Sequence, residues 1–417
     1  KFRQDGEGML QAPDGLPCAL LSINMLNFKI YNDVMGYSEG DALLKAFARI
    51  LEREAPRPVL VARMLADAFL VLFPYKGKEE LVTYCEAYSR ALNGFIVSRE
   101  QNYQLELRSG ICCVEDSDAS DINSLLDRAN MALKTIKVKG AAQWKFYDHT
   151  MRDKLLREKD LEIRMEKALA DGEFLVYIQP KYWVGTRALA GGEALVRWKS
   201  PDQGFLSPGE FIPLFEKNRF IVKLDQFMFT SVCGLLRQWL DAGIEPRPLS
   251  VNVSRMQFHT PDFVERYIRI KSQYAIPDGL LELEFTESIF FDNVALLSSA
   301  VHELRRAGIK CSIDDFGAGY SSLNVLKALP VSVLKLDGMF FRTAKDDEQA
   351  KIVIRNIMRM AGELKMATVA EGVETHEQVA FLETTGCDII QGYVFARPMP
   401  AAEFTELLAG EGGHAER

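Results

Sequence analysis

A chain of 417 residues is too long for one ordinary hydrophobic core and points to two domains. Hydrophobic residues make up 48% and charged residues 26%, the balance of a globular protein, and no apolar run approaches the roughly 20 residues of a membrane span, so no membrane contact is expected from this segment. A net charge of -8 argues against a nucleic-acid polymer as partner, since phosphate backbones demand clustered Lys and Arg, but leaves room for a small anion held through metals. The seven cysteines contain no C-x-x-C pair and the five His are scattered, which indicates neither a disulfide framework nor a zinc site and fits a reducing cytoplasm. No signal peptide precedes Lys1, so the expectation is a piece of something longer, with any targeting segment or membrane tether outside it.

Residues 1–148 carry a mixed pattern. Strand "PCALLSINML" is followed by helix "DALLKAFARILERE", a hairpin, helix "EELVTYCEAYSRALNGF", strand "LELRSGICCV" and helix "DINSLLDRANMALKTIKV". The hairpin joins "RPVLVA" to "LVLFPY" through "RMLADAF" and carries one acid, Asp67, at its tip. On these residues alone a solvated turn Asp and a functional carboxylate are both open. Strands with flanking helices predict an α+β domain. Residues 149–172 are charged with apolar residues at helical spacing and stop at Gly172, which predicts a connecting helix. The linker is placed at 149–160 and the second domain at 161–411.

That second domain alternates regularly, with eight strand candidates at 174–180, 189–198, 249–254, 280–287, 309–317, 333–338, 367–374 and 387–395. Helical stretches separate most of them, the arithmetic of a (β/α)8 TIM-like barrel, with an open doubly wound sheet as competitor. The first connection, "KYWVGTRA", is far too short for a crossover helix, so the first strand should run antiparallel to its neighbour. Gln179 and Glu193 lie symmetrically about Thr186 and should face each other across that hairpin.

Read toward their ends, the strands pass from apolar residues to polar ones: Glu193, Asn252, Glu284, Asp314 with Asp315, Lys335, Glu371 and Gln391. Strand ends converge at the C-terminal face of a β/α barrel, where these carboxylates would repel one another unless cations sat among them. Any single one reads equally well as a helix-capping acid; one on strand after strand does not. Oxygen ligands without His or Cys select Mg²⁺ or Mn²⁺. Asp314 and Asp315 should reach two metals if the strand ends between them, and a two-metal site suits phosphodiester hydrolysis. "DDFG" also contains a kinase triplet, but the Gly-rich loop, Val-Ala-Ile-Lys strand and His-Arg-Asp loop of a kinase are missing from the sequence.

Through "YIQP", "GGEALVRW", "LSVNVSRMQF", "LELEFTES", "IDDFGAGYSSL", "LKLDG", "AEGVE" and "QGYVFARPMP", residues 161–405 resemble an EAL domain, the bacterial cyclic-di-GMP phosphodiesterase. The resemblance implies an eight-stranded barrel with an antiparallel first strand. It also implies metal ligation by Glu193, Asn252, Glu284 and Asp314, with Asp315 serving a second Mg²⁺ or Mn²⁺. By position, Lys335 would hold the attacking water and Glu371 would take its proton or hold it in place, making Glu371, Lys335 and Asp315 the catalytic group. Arg197 resembles the family's phosphate-contacting Arg, while Gln179 and Gln391 resemble substrate contacts. Glu287 and the loop "DDFGAGYSS" look like the segment that couples homodimer contacts to the metals, and Glu374 looks like a supporting acid. Ala318 stands where the family usually has Thr.

Residues 16–148 resemble a GGDEF domain, the cyclase that makes cyclic-di-GMP from GTP, through "FKIYNDVMGYSEGD", "RMLADAF" and "LDRANMALKTIKVKG". "LADAF" occupies the place of the signature: Leu65 and Ala66 replace the Gly pair, Ala68 the second acid, and Asn24 and Leu26 the first-strand acids, so that only Asp67 is left of the metal site. The Arg-x-x-Asp product-inhibition motif keeps Arg57 but has Leu60 in place of its acid. Asn32 and Asp41 match the guanine-reading pair, and Lys137 a phosphate-contacting Lys; they read either as leftover polar residues or as a retained GTP site. The resemblance as a whole implies a degenerate, regulatory GGDEF domain ahead of an active cyclic-di-GMP phosphodiesterase that yields linear pGpG, the alternative being a catalytically silent cyclic-di-GMP receptor.

Overall fold

Cys18–Met25 (β1) is apolar on both faces, which suits it to the centre of a sheet, and it pairs antiparallel with β3 (Ala68–Pro74) on one side and β4 (Leu107–Cys113) on the other. Strands β2 (Leu60–Arg63) and β5 (Trp144–Phe146) complete the order β2-β3-β1-β4-β5 in this computed structural model. Alternate residues of β1 feed opposite cores. Ala19, Leu21 and Ile23 pack with Phe47 of α3 (Tyr37–Arg53) and Tyr84 and Tyr88 of α4 (Lys78–Val97), whereas Cys18 and Leu20 pack with Leu125 and Ala129 of α5 (Ile122–Lys134). The sequence patterns anticipated neither α1 (Phe2–Leu10), α2 (Phe28–Met35) nor the three-residue β5. Between β2 and β3 the turn holds Ala66 at φ 52, and Leu65 at its tip is 82% exposed.

The structure describes all residues except 11–15, 100–102, 104, 117–118, 120, 137–142, 287–288, 290–293, 318–329, 344–346 and 413–417. Two units, Lys1–Lys159 and Asp160–Arg417, divide the chain, and the boundary falls within the single helix α6 (His149–Ala170).

In the second unit the eight strands are β6 (Phe174–Trp183), β7 (Leu189–Ser200), β9 (Leu249–Val253), β10 (Leu281–Thr286), β11 (Lys310–Phe316), β12 (Val333–Leu336), β13 (Ala367–Ala370) and β14 (Ile389–Ile390), with short β8 (Gly204–Leu206) and β15 (Met399–Pro400) appended. They close on themselves through β6–β7 and β6–β14 pairing, which makes a barrel and removes the open doubly wound alternative. Strand β6 is antiparallel to both neighbours; the other adjacent pairs of the eight are parallel. Within the hairpin, Gln179 stands opposite Glu193. Gly191 and Gly192 let β7 close: a Cβ on the first would lie 2.4 Å from the Pro248 carbonyl oxygen, and on the second 2.4 Å from Ile178.

Along β9, β10 and β11, Leu249, Val251, Val253, Leu281, Leu283, Phe285, Cys311 and Ile313 join the apolar core that includes α8 (Ile221–Asp241) and α9 (Phe263–Gln273). The intervening Ser250, Asn252, Glu282, Glu284, Ser312 and Asp314 turn inward. Two expectations about strand ends need correction. The last strand is two residues long instead of the nine of "CDIIQGYVF", because Gly392 packs against the Val373 backbone and the chain turns there; a Cβ on Gly392 would lie 2.0 Å from the Val373 carbonyl oxygen. Nor does β11 end between its two acids. It continues to Phe316 through a register shift against β12, with Asp315 at φ 53. A bulge, not a strand terminus, turns the adjacent side chains the same way.

Candidate active site

Fully buried Lys335 on β12 is the centre of the barrel mouth. Its ammonium lies 2.6 Å from Glu371 Oε1, 3.1 Å from Asp314 Oδ1 and 3.5 Å from Glu193 Oε2, and it donates to Glu284 Oε2. Glu193 also accepts from Asn252 Nδ2 on Oε1 and from Gln391 Nε2 on Oε2, each at 2.6 Å. Gln391 Nε2 also lies 3.2 Å from Gln179 Oε1, and Gln179 donates to the Ala396 carbonyl at 3.4 Å. Contributions thus come from β6, β7, β9, β10, β11 and β12 and from the ends of β13 and β14, as closure of the barrel requires.

Carboxylates outnumber ammonium groups in this space. Burial pulls the Lys335 ammonium down, but Asp314, Glu193, Glu284 and Glu371 outweigh it and hold its pKa well above the ordinary Lys value. Burial pushes Glu284 up, yet Lys181 and Lys335 prevail and keep it below the usual carboxylate range. Glu193 is raised by burial and then by Glu284, against the pull of Lys335. Glu371 is raised well above a free carboxyl by burial, with Asp314, Glu193 and Glu284 adding to the effect and Lys335 opposing it. Asp315 is pushed up to about 6 by burial and by its neighbours Asp314 and Asp337.

One member of the cluster went unread in the sequence. Lys181, 6% exposed, donates to Glu284 Oε1 at 2.8 Å and to Ser250 Oγ at 2.7 Å. Its signal was its place two residues after Gln179, on the same face of β6.

Asp314, Asp315 and Glu371 offer oxygens that all lie within 4.8 Å of one another, a donor set of hard ligands without His or Cys. Buried Gln391 Oε1, at the same mouth, has no hydrogen-bond partner among the described residues. These residues fit a divalent hard cation. Two cavities adjoin the cluster. One of about 290 Å³ is lined by Gln179, Glu193, Asp314, Glu371, Glu374 and Gln391. The other, of about 250 Å³, has mostly apolar walls with Arg197, Asn252 and Asp225 among them. Arg197 stacks over Tyr177, 5.6 Å from the ring centre, and burial lowers its guanidinium pKa.

The cluster therefore gathers Glu193, Asn252, Glu284, Asp314, Lys335, Glu371, Gln179 and Gln391, while Arg197 and Glu374 line the adjoining cavities. Glu287, residues 318–322 of the coupling loop and Lys137 lie outside the described residues. In the first unit, Asn32 sits on α2 with its side-chain oxygen buried against Gly40 and without a hydrogen-bond partner among the described residues, and Asp41 is exposed on α3.

Residues 163–398 match the family model described as EAL domain, and residues 7–143 that described as diguanylate cyclase, GGDEF domain. The chain belongs to the tandem GGDEF–EAL family. Among GGDEF–EAL relatives, it is 32% identical over 412 residues to the cyclic di-GMP phosphodiesterase PA2567 of Pseudomonas aeruginosa, covering 98% of this chain and 68% of that protein. It is 30% identical over 392 residues to the bifunctional diguanylate cyclase/cyclic di-GMP phosphodiesterase MucR of the same organism, covering 94% of this chain and 57% of MucR. Several other curated relatives are likewise matched over only about half their length. A solved structure of the PaMucR phosphodiesterase in complex with c-di-GMP superposes on this EAL unit with a TM-score of 0.56 at 35% identity, covering 59% of this chain and 99% of that one. No helix among the described residues is long and apolar enough to cross a membrane.

Proposed function

We propose that the EAL unit hydrolyses cyclic-di-GMP to linear pGpG with Mg²⁺ or Mn²⁺, and that the GGDEF unit regulates it without making cyclic-di-GMP. The convergence of Glu193, Glu284, Asp314 and Glu371 on the Lys335 ammonium carries this reading. Glu193, Asn252, Glu284, Asp314 and Asp315 would hold a pair of divalent cations, which when bound supply neutralisation of the phosphodiester and activation of water. Lys335 orients the attacking water through its donors. Glu371, whose carboxylate lies 2.6 Å from the Lys335 ammonium at the cavity wall, takes the proton that the leaving alcohol later recovers. Arg197 faces the phosphate from the second cavity, whose apolar walls suit a base ring, while Gln179 and Gln391 hold the substrate and Glu374 supports the rim.

A silent receptor would lack ligands, and none of the expected ligand residues is replaced here. Incubation with cyclic-di-GMP and Mn²⁺, followed by chromatography of the products, should give pGpG, and none in excess chelator. Unchanged cyclic-di-GMP that nevertheless binds would favour the receptor.

For the GGDEF unit, selective loss supports regulation: the positions of the metal acids hold Asn24, Leu26 and Ala68, yet Asn32 and Asp41 are kept. A GTP bound weakly there shifts the EAL unit only through a difference in affinity between its states. Calorimetry with GTP on wild type and Asp41→Ala, with phosphodiesterase rates alongside, tests this. Formation of cyclic-di-GMP from GTP would overturn it. The reading further includes a homodimer formed through the EAL unit and a cytoplasmic location, the substrate being a cytoplasmic messenger.

A further inference from the structure

The mechanism above leaves Lys181 unused, although it is one of two buried ammonium groups that divide the Glu284 carboxylate between them. Lys181 takes Oε1, at 2.8 Å, and Lys335 takes Oε2. Ser250, on the neighbouring strand β9, accepts a second Lys181 hydrogen bond at 2.7 Å and fixes the direction of the ammonium. Glu282, also turned inward and one strand alternation below Glu284, adds to the negative field around Lys181. With Oε1 tied down, Glu284 presents a single oxygen in one orientation to Lys335 and the other carboxylates.

We infer that Lys181 is a positioning residue that sets Glu284 as a one-oxygen ligand of the cation site, an inference that rests on the metal reading proposed above. Without Lys181 the freed Glu284 oxygen turns toward Lys335, which strengthens the metal-free pairing, and the carboxylate must then be ordered again whenever a cation enters. Losing a partner that orients a ligand typically weakens metal affinity about 10- to 100-fold. The opposite effect is closer attraction of cations once a positive charge is gone, and the two differ in sign.

The test is calorimetric titration of Mn²⁺ into the full chain after removal of metals by chelator, with thermal unfolding recorded for each variant. Lys181→Met should raise the Mn²⁺ Kd by roughly 10-fold or more, and in the Glu284→Gln background the same change should add nothing further. Lys181→Arg keeps the charge while displacing the donors, and should give an intermediate Kd. Should Lys181→Met fail to fold, Lys181→Arg decides alone: a raised Kd supports positioning and an unchanged one overturns it. A Kd for Lys181→Met equal to or below that of wild type also overturns it. Wild type that binds no Mn²⁺ overturns the metal reading together with this inference, whereas wild type that binds Mn²⁺ but leaves cyclic-di-GMP intact overturns only the activity.

Discussion

Replacing Lys335 by Met removes a cation that touches four carboxylates at once, Glu193, Glu284, Asp314 and Glu371. Lys335 is 0% exposed, so solvent does not screen the loss. Breaking a buried ion pair by deleting one partner costs about 3–5 kcal/mol, and about 1 kcal/mol moves Tm by roughly 2–4 °C in a domain of this size, so metal-free Lys335→Met should melt roughly 6–20 °C below wild type. Glu193 and Glu371 already have raised pKa values and lose the ammonium that opposes the rise. A carboxyl whose folded pKa exceeds its unfolded value binds more protons in the folded state, so stability falls as pH rises above the unfolded value of about 4.3. The Tm deficit should therefore be small near pH 4 and widen toward neutrality. Mn²⁺ should restore part of it, by about 2.7 kcal/mol at 100 times Kd. Differential scanning calorimetry at two pH values in chelator, and again with Mn²⁺ in place of chelator, measures all three. The exposed pair Lys223–Glu166 supplies the control, since Lys223→Met should leave Tm unchanged. A Lys335→Met Tm equal to wild type in chelator, or a deficit that shrinks as pH rises, would refute the reasoning.

Glu371→Gln should bind cyclic-di-GMP yet lose about 10² to 10⁴ in kcat, the usual worth of a positioned base; near-normal turnover would reassign that role to Asp315 or Lys335. Asp314→Ala should abolish both turnover and Mn²⁺ binding in the same calorimetric titration. Ca²⁺ should inhibit, because its longer and looser coordination suits the carboxylates without fixing the nucleophile; turnover rates with Ca²⁺ added to Mn²⁺ check this. Asp225, buried and bonded by the Ser254 amide and Gln257, is pushed up to about 7 by burial, so the folded state holds an extra proton between about pH 4 and 7 and stability declines across that window. Asp225→Asn should flatten that part of the Tm-versus-pH curve, and an unchanged slope would place the proton elsewhere.

Strand count, closure and the antiparallel start were legible in the sequence because a crossover needs more residues than "KYWVGTRA" provides, and because the polar residue recurs at the end of strand after strand. The gathering of Glu193, Glu284, Asp314 and Glu371 followed from the same pattern. The bulge at Asp315 did not, since it is a property of how β11 pairs with β12, and two adjacent acids look the same in either arrangement. The length of β14 was overestimated because "QGYVF" has strand composition, while its turn depends on how closely Gly392 meets the Val373 backbone. Lys181 escaped because a Lys near a strand end is ordinarily solvated, and only the closed barrel shows that Glu284 waits on the far wall.

Running the first strand backwards changes which face of the barrel the incoming chain is wired to. In an all-parallel barrel the preceding segment would arrive at the floor, opposite the chemistry. Here β6 begins beside the far end of β7, where Phe174 pairs with Trp198, and Arg164 of α6 donates to Ser200 at 2.7 Å. Leu161, Ala168, Phe174 and Trp198 share one apolar cluster with α7 (Pro208–Lys217). Arg197 is therefore next to Trp198, which shares that cluster with α6, and Glu193 lies earlier on the same strand. The segment that leads into this barrel thus packs at the mouth end of β7, on the same strand that carries Glu193 and Arg197.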